Sequence, residues 1–117
     1  IGCPTWNVGE LQDDWDMLFE DYKKFSFEGV IGAFFGVGDQ YGYSCNYLDA
    51  VGMLARPFME KGGKLIGKWS TEGYEFDESV AQEGDEFLGL ALDYDNQDEL
   101  SEERITKWTA SIQSEFN

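Results

Sequence analysis

The chain has 117 residues, enough for one small domain and too few for two. Its 24 acidic and 8 basic residues give a formal net charge of −16, which excludes charge-driven binding to nucleic acid or anionic lipid. It contains no histidine, which removes the usual general base and most zinc sites, and no apolar run approaches the roughly 18 residues of a membrane-spanning helix.

Helix-like and strand-like patterns alternate along the chain, which predicts an α/β fold with a parallel sheet. Apolar residues at helical spacing predict a first helix over residues 10–23, whose buried stripe would be Leu11, Trp15, Leu18, Phe19 and Tyr22. The apolar run at residues 30–35 predicts a buried strand. Apolar residues at helical spacing from Tyr47 to Met59 predict a second helix that ends near the Gly62–Gly63 pair, and Pro57 inside it favours a kink.

The second half predicts one strand position that is interrupted. A short strand at residues 65–69 precedes a polar stretch over residues 70–86, and residues 87–92 are apolar again. A last helix is predicted with Ser101 as its N-cap and with a buried stripe of Ile105, Trp108, Ile112 and Phe116. Cys3 and Cys45 are predicted to be reduced, buried thiols.

Two short loops hold large aromatic residues among glycines. The first is PTWNVG at residues 4–9, and the second is GVGDQYGY at residues 36–43, directly after the predicted strand. Either aromatic, Trp6 or Tyr43, could be a core edge or a partner contact. Two such residues at the carboxyl ends of neighbouring strands could instead clamp a flat ring. The loops together predict a planar cofactor.

Four blocks of sequence resemble the flavodoxin family, specifically the long-chain flavodoxins of cyanobacteria and algae. They are GCPTWNVGEL at residues 2–11, GDQ and GY within residues 38–43, WSTEGYEF at residues 69–76, and FLGLALD with DNQ at residues 87–97. The resemblance covers nearly the whole chain. It implies a flavodoxin-like, doubly wound α/β fold, of which residues 1–117 would be the carboxyl-terminal portion, from the end of the third strand to the last helix.

The resemblance also implies a missing amino-terminal part, comprising two strands and a Ser/Thr-rich phosphate-binding turn. In the family that turn holds the FMN phosphate with backbone amides and a helix N-terminus. We therefore expect this chain alone to bind FMN more weakly than full-length relatives, and we expect an exposed sheet edge and apolar face.

By resemblance, FMN is the cofactor, with Trp6 and Tyr43 covering the two faces of its ring. The peptide at Asn7–Val8–Gly9 would lie beside the ring and flip on one-electron reduction, which Gly9 permits. Asp39 and Asn46 would bond the pyrimidine edge, although an Asp after a strand is often only a turn or cap residue. The implied binding residues are Thr5, Trp6, Asn7, Val8, Gly9, Gly38, Asp39, Tyr43, Asn46 and Asp95, with no catalytic residue and no metal ligand.

The family implies a low-potential one-electron carrier that transforms no substrate. Its partners would be basic faces of photosystem I and ferredoxin–NADP reductase, to which the carrier would bind as a monomer. The family also implies a role under iron limitation, in a cyanobacterial cytoplasm or an algal chloroplast stroma. An alternative is an acidic protein-interaction module with this fold and no functional FMN site, which the missing phosphate turn favours. An FMN enzyme is the third reading, for which the loops offer no acid, base or nucleophile.

Two other motif readings fail on spacing. The glycines at positions 36, 38 and 42 form GxGxxxG, one residue longer than the dinucleotide fingerprint, and no βαβ unit precedes them. The acidic run from Asp93 resembles the start of a calcium loop, but its sixth position is Asp98 instead of Gly and its twelfth is Arg104 instead of Glu. A capped acidic turn is the better interpretation.

Overall fold

A computed structural model describes residues 1–116. In chain order the elements are β1 (Gly2–Trp6), β2 (Glu10–Leu11), α1 (Asp13–Tyr22), β3 (Ile31–Ala33), β4 (Phe35–Val37), α2 (Asp49–Glu60), β5 (Lys64–Ile66), β6 (Trp69–Ser70), β7 (Gln82–Glu83), β8 (Glu86–Phe87), β9 (Leu90–Leu92) and α3 (Asp98–Phe116). Within this part of the chain, no helix is both long and apolar enough to cross a bilayer.

Three strands of the central sheet, β1, β4 and β9, pair in parallel, as the sequence predicts, and the short β2 is antiparallel at its edge. β4 lies between β1 and β9 and runs parallel to both, with Gly36 opposite Cys3 on one side and Ala91 on the other. β3 precedes β4 along the same run and pairs in parallel with β5. Residues 31–37 are therefore flanked on one side first by β5 and then by β9, which confirms the predicted interrupted strand position.

The interruption forms a small sheet of its own. β6, β8 and β7 pair antiparallel, and the aromatic rings of this segment, residues 67–89, pack on Tyr47 at the end of the loop after β4. Phe87 is fully buried there, within 5.7 Å of the Tyr47 ring centre. We call residues 67–89 the excursion.

Side chains on the two faces of the sheet enter separate cores because successive strand residues point in opposite directions. Cys3 and Ala91 face the larger core, which α1 and α2 cover, whereas Leu90 and Leu92 face α3 and Trp108. Gly36 lets α2 approach closely, since a Cβ at that position would lie 2.4 Å from Val51 Cγ2. Packing of α2 against the strands thus depends on a residue without a side chain.

The first helix begins later than predicted. Glu10 and Leu11 belong to β2, which folds back on β1 in a short hairpin, because Asn7 and Gly9 adopt left-handed φ angles of 48° and 77°. Helix α1 then starts at Asp13. Leu18, which was predicted to be buried, is 56% exposed.

The last helix also departs from prediction. It starts at Asp98, so Ser101 lies inside it, buried and with no hydrogen-bond partner for its hydroxyl, and is not the N-cap. Of the predicted stripe, Trp108 is buried, but Ile105 and Phe116 are 37% and 49% exposed. Beside Ile105 lies a groove of about 310 Å³, lined by Phe35, Val37, Leu90, Leu92, Tyr94, Ile105, Trp108 and Thr109. An exposed apolar face is therefore present, as expected.

Both cysteines are free thiols, as predicted, but only Cys3 is buried. Burial raises the pKa of the Cys3 thiol above its ordinary value. Cys45 is exposed in the loop after β4, which corrects the prediction for that residue.

Trp108→Ala is expected to destabilise the chain by about 3–5 kcal/mol, since it removes the ring that joins α3 to Leu90 and Leu92. It also removes the hydrogen bond from the indole N–H to the Gly67 carbonyl, 2.7 Å long. Urea unfolding followed by far-UV circular dichroism measures the change. The exposed Ser111→Ala on the same helix is the control, and a similar cost for both would contradict this account of the α3 core.

Candidate functional site

Three loops leave the sheet at the same edge. β1, β4 and β9 are parallel, so their carboxyl ends lie together. We call the segments at these ends the Trp6 loop (residues 6–10, from the last residue of β1 to the first of β2), the Tyr43 loop (residues 38–46) and the Asp95 loop (residues 93–97). Every residue predicted to bind a cofactor lies in one of these loops, except Thr5, which directly precedes the Trp6 loop in β1.

The Trp6 loop is a tight turn with an exposed tip. Trp6 is 41% exposed and Val8 is largely exposed. The Asn7 side-chain amide donates to Glu10 Oε2 over 3.0 Å, which supports the left-handed backbone of Asn7. The aromatic ring and the backbone of the turn thus face outward.

The start of α2 joins the Trp6 loop to the Tyr43 loop. Thr5 Oγ1 accepts a hydrogen bond from the Ala50 N–H over 3.1 Å, in the first turn of α2. A Cβ on Gly9 would lie 2.7 Å from Asp49 Oδ2, so the turn packs closely on this helix start. Asp49 is buried and its carboxylate accepts from the Asn46 side chain. The two loops are therefore held against each other.

The Tyr43 loop is organised around the carboxylate of Asp39. Asp39 Oδ1 accepts from the Gly42 N–H over 2.7 Å, from the Asn96 side chain over 2.8 Å and from the Tyr41 N–H over 3.1 Å. The Gly42 and Asn96 bonds lower the pKa of Asp39, because they stabilise its charged form. The Asp39 carbonyl also accepts from the Tyr43 N–H over 3.0 Å. Tyr43 is 45% exposed at the end of this turn.

The Asp95 loop approaches the Tyr43 loop through carboxylates. Asp39, Asp93 and Asp95 each have an oxygen within 4.8 Å of the others. Asp93 is fully buried, whereas Asp95 is exposed. Hydrogen bonds from Gln40 and Asn96 occupy the Asp93 oxygens. The edge is strongly negative, and amide groups separate its charges.

The structure brings several predicted residues together. Gly9 lies against Asn46, and the carboxylates of Asp39 and Asp95 converge. Trp6 ends β1 and Tyr43 lies in the loop after the neighbouring parallel strand β4, and their role as walls for a flat ring stays a prediction. The functions of the remaining predicted residues, including Gly38, whose N–H donates to the Leu92 carbonyl, also stay predictions.

Sequence reasoning missed the buried polar residues behind these loops. Gln40 and Asp93 are both fully buried, and Asn96 links Asp93 to Asp39. One signal was available, since Asp93 directly follows the apolar strand β9 and a carboxylate there needs hydrogen-bonding partners. Asn96, three positions away, supplies some of them, but Gln40 lies 53 positions away in sequence, so its contribution depends on the fold.

Comparisons with known proteins agree with this geometry. The sequence model of the flavodoxin family matches residues 1–108. A flavodoxin of Nostoc sp. is 50% identical over 116 residues, which cover 99% of this chain and 68% of the relative. Flavodoxin 2 of Escherichia coli is 46% identical over 118 residues, with the same two shares covered. The chain belongs to the flavodoxin family, whose members are electron-transfer proteins and not enzymes.

Solved structures show the same fold. Fusobacterium nucleatum flavodoxin bound to flavin mononucleotide (FMN) matches with a TM-score of 0.94 at 33% identity, covering 99% of this chain and 70% of that one. Oxidised Flavodoxin 2 from Bacillus cereus, at 21% identity and a TM-score of 0.60, supports the fold alone.

Asp39→Asn is expected to destabilise the chain at neutral pH but not in acid. The pKa of Asp39 is lowered on folding, so its stabilisation is complete above about pH 4, the unfolded value, and is lost as the pH falls through the folded value. Thermal melts of both proteins between about pH 6 and pH 2 should therefore converge at the acid end. Asp85→Asn, which removes an exposed carboxylate on the excursion, is the control for the loss of one charge. The same convergence there would contradict the prediction.

Proposed function

We propose that this chain is a low-potential one-electron carrier that binds FMN non-covalently at the edge formed by the Trp6, Tyr43 and Asp95 loops. Its family membership supports this function, as does its likeness to a flavodoxin structure that is bound to FMN. When bound, FMN supplies a ring that accepts and donates single electrons. The loops supply the binding surface and the electrostatic environment.

The observation that carries the proposal is a pair of half-exposed aromatic residues at the carboxyl ends of adjacent parallel strands, Trp6 as the last residue of β1 and Tyr43 in the loop after β4. Trp6 and Tyr43 each leave a large part of a ring uncovered, at an edge where the backbone approaches closely through Gly9. Stacking on both faces of a planar heterocycle would cover these rings. The ionised Asp39, held by backbone and Asn96 donors, is an acceptor for a ring N–H.

The same residues fit the ring better than the phosphate. None of the ten proposed binding residues is cationic, and the carboxylates of Asp39, Asp93 and Asp95 would repel a phosphate dianion. Those charges also oppose the addition of negative charge to a bound ring, which lowers its reduction potential. The chain alone is therefore proposed to bind FMN through the ring and to hold it more weakly than full-length flavodoxins.

The excursion supports assignment to the long-chain type, since it inserts a three-stranded sheet into one strand position. The partners are proposed to be basic redox proteins such as photosystem I and ferredoxin–NADP reductase, met by a monomer. A cyanobacterial cytoplasm or an algal chloroplast stroma would be the setting. At a net charge of −16, attraction to a basic surface raises the rate of encounter.

Docking is proposed to occur beside the Trp6 loop. Helix α1 begins two residues after β2, so its acidic first turn, which includes Asp13, Asp14 and Asp16, lies at the same edge as the proposed ring site. A basic partner that binds there would be close to the exposed ring edge.

Tyr43→Ala and Trp6→Ala are each expected to weaken FMN binding about tenfold, or about 1.4 kcal/mol, because each removes a stacking wall. Tyr43→Ala should also raise the potential of the second one-electron reduction, since water entering the site stabilises added charge. Quenching of FMN fluorescence measures affinity, and a redox titration measures the potential.

Phe25→Ala is the matched control, because Phe25 is also an exposed aromatic residue, at 56%, and lies in the connection between α1 and β3. It should bind FMN like the parent chain. A parent chain that is colourless and fails to quench added FMN would favour the acidic interaction module instead. Unchanged affinity in both loop variants would show that the rings do not cover the flavin.

Electron transfer to ferredoxin–NADP reductase is expected to slow severalfold between about 50 and 200 mM salt, because salt screens the attraction. The double variant Asp13→Asn/Asp16→Asn should slow it about two- to fivefold at low salt. Stopped-flow absorbance measures the rate. Glu28→Gln/Glu60→Gln makes the same charge change away from the proposed edge, so an equal loss of rate there would indicate docking elsewhere.

A further inference from the structure

We infer that Gln40 is a positioning residue: its buried side chain, acting through Asp93 and Asn96, fixes the Tyr43 loop in the arrangement that receives the flavin ring. The effect of Gln40 on flavin binding rests on the proposed function, whereas its positioning of the Tyr43 loop rests on the geometry of the loops alone. Gln40 is fully buried and would contact no flavin atom itself.

The Gln40 side chain ties three segments of the chain together. Its Nε2 donates to Asp93 Oδ2 over 2.8 Å and to Gln97 Oε1 over 2.9 Å, both in the Asp95 loop. Its Oε1 accepts from the Glu75 N–H, 2.6 Å away in the excursion. Both amide hydrogens and the carbonyl oxygen are thus used in fixed directions. No other residue type of this size offers two donors and an acceptor in one plane.

Asp93 connects Gln40 to Asn96 through hydrogen bonds. It is a fully buried carboxylate whose Oδ2 accepts from both the backbone N–H and the side chain of Gln40. Its Oδ1 accepts from the Asn96 N–H over 3.0 Å, and the Asn96 side chain donates to it as well. Since a buried carboxylate is costly unless hydrogen-bonded, the amides of Gln40 and Asn96 set the position of Asp93.

Asn96 carries the link to the proposed flavin contacts. Its side-chain N–H also donates to Asp39 Oδ1 over 2.8 Å, so one amide bridges two carboxylates. Asp39 in turn holds the Gly42 and Tyr43 N–H groups. A continuous path of hydrogen bonds therefore runs from the Gln40 side chain to the Gly42 N–H, and the main-chain carbonyl of the same Asp39 accepts from Tyr43.

We call the hydrogen-bonded set of Gln40, Asp93 and Asn96 the clamp. Like-charge repulsion between the neighbouring carboxylates explains why the clamp needs an amide at position 40. Asp39, Asp93 and Asp95 converge within 4.8 Å, and hydrogen-bond donors between them hold such a group together. Gln40→Glu keeps the size of the side chain, but it replaces two donors with a carboxylate that faces Asp93. The Tyr43 and Asp95 loops should then separate.

Hydrogen exchange on the flavin-free chain tests the positioning directly. Gln40→Glu should speed exchange of the Gly42 and Tyr43 amides at least tenfold, while the amides of β4 and α2 exchange as in the parent chain. FMN affinity should fall at least tenfold. Gln82→Glu is the matched control, since its side chain donates only within the excursion, to the Gly84 carbonyl, and it should change neither quantity.

Two further variants test individual hydrogen bonds of the clamp. Gln40→Glu/Asp93→Asn exchanges donor and acceptor across the clamp and should restore most of the protection and most of the affinity. Asn96→Ala removes the side chain that links Asp93 to Asp39, so it should speed exchange of the Gly42 and Tyr43 amides although Gln40 is unchanged. This variant replaces Gln40→Glu in the test if Gln40→Glu does not fold.

Faster exchange throughout the chain, or no rescue by the double variant, would overturn the positioning role. Failure of the parent chain to bind FMN would refute the proposed function, and the exchange data would still decide whether Gln40 orders the Tyr43 loop. Selective loosening with unchanged FMN affinity would overturn the inference while leaving the carrier function standing.

Discussion

The parallel pairing of β1, β4 and β9 is the constraint on which the rest of this structure depends. Parallel strands in adjacent register bring their carboxyl ends to one edge, so segments far apart in sequence meet there without further design. The close approach of α2, which Gly36 permits, then fixes the Trp6 loop against the helix start through Thr5. The position of the proposed site is therefore set by the order of the strands, and the side chains then determine its chemistry.

Amide groups stabilise the negative charges at this edge of the sheet by donating hydrogen bonds to the carboxylates. Asp39 and Asp93 are held by Gln40, Asn96 and backbone N–H groups, so the site stays ordered while remaining negative. A cation in the same place would satisfy the carboxylates and cancel the field. Amide donors satisfy them and leave the charge, which is the electrostatic condition that a low-potential carrier requires.

The α3 side of the sheet is less complete than the α2 side. Trp108 is buried and donates a hydrogen bond to the Gly67 carbonyl, but Ile105 and Phe116 remain partly exposed, and Ile105 lines an uncharged groove. Arg104, on the same helix, is buried and stacks on Tyr74 of the excursion, with its guanidinium 4.2 Å from the ring centre. The helix is therefore anchored at its amino-terminal half and at Trp108 rather than along a full apolar stripe.

The sequence by itself determined the parallel α/β class, the interrupted strand position and the two aromatic loops, because apolar runs, helical spacing and Gly-flanked aromatics are local patterns. It failed at Glu10 and Leu11, where left-handed turns at Asn7 and Gly9 create a hairpin, and at Ser101, which resembles a cap but lies within a helix. Only the tertiary structure decided the clamp of Gln40, Asp93 and Asn96, since the bonds from Gln40 to Asp93 and from Asn96 to Asp39 join residues more than fifty positions apart, a separation that no local pattern records.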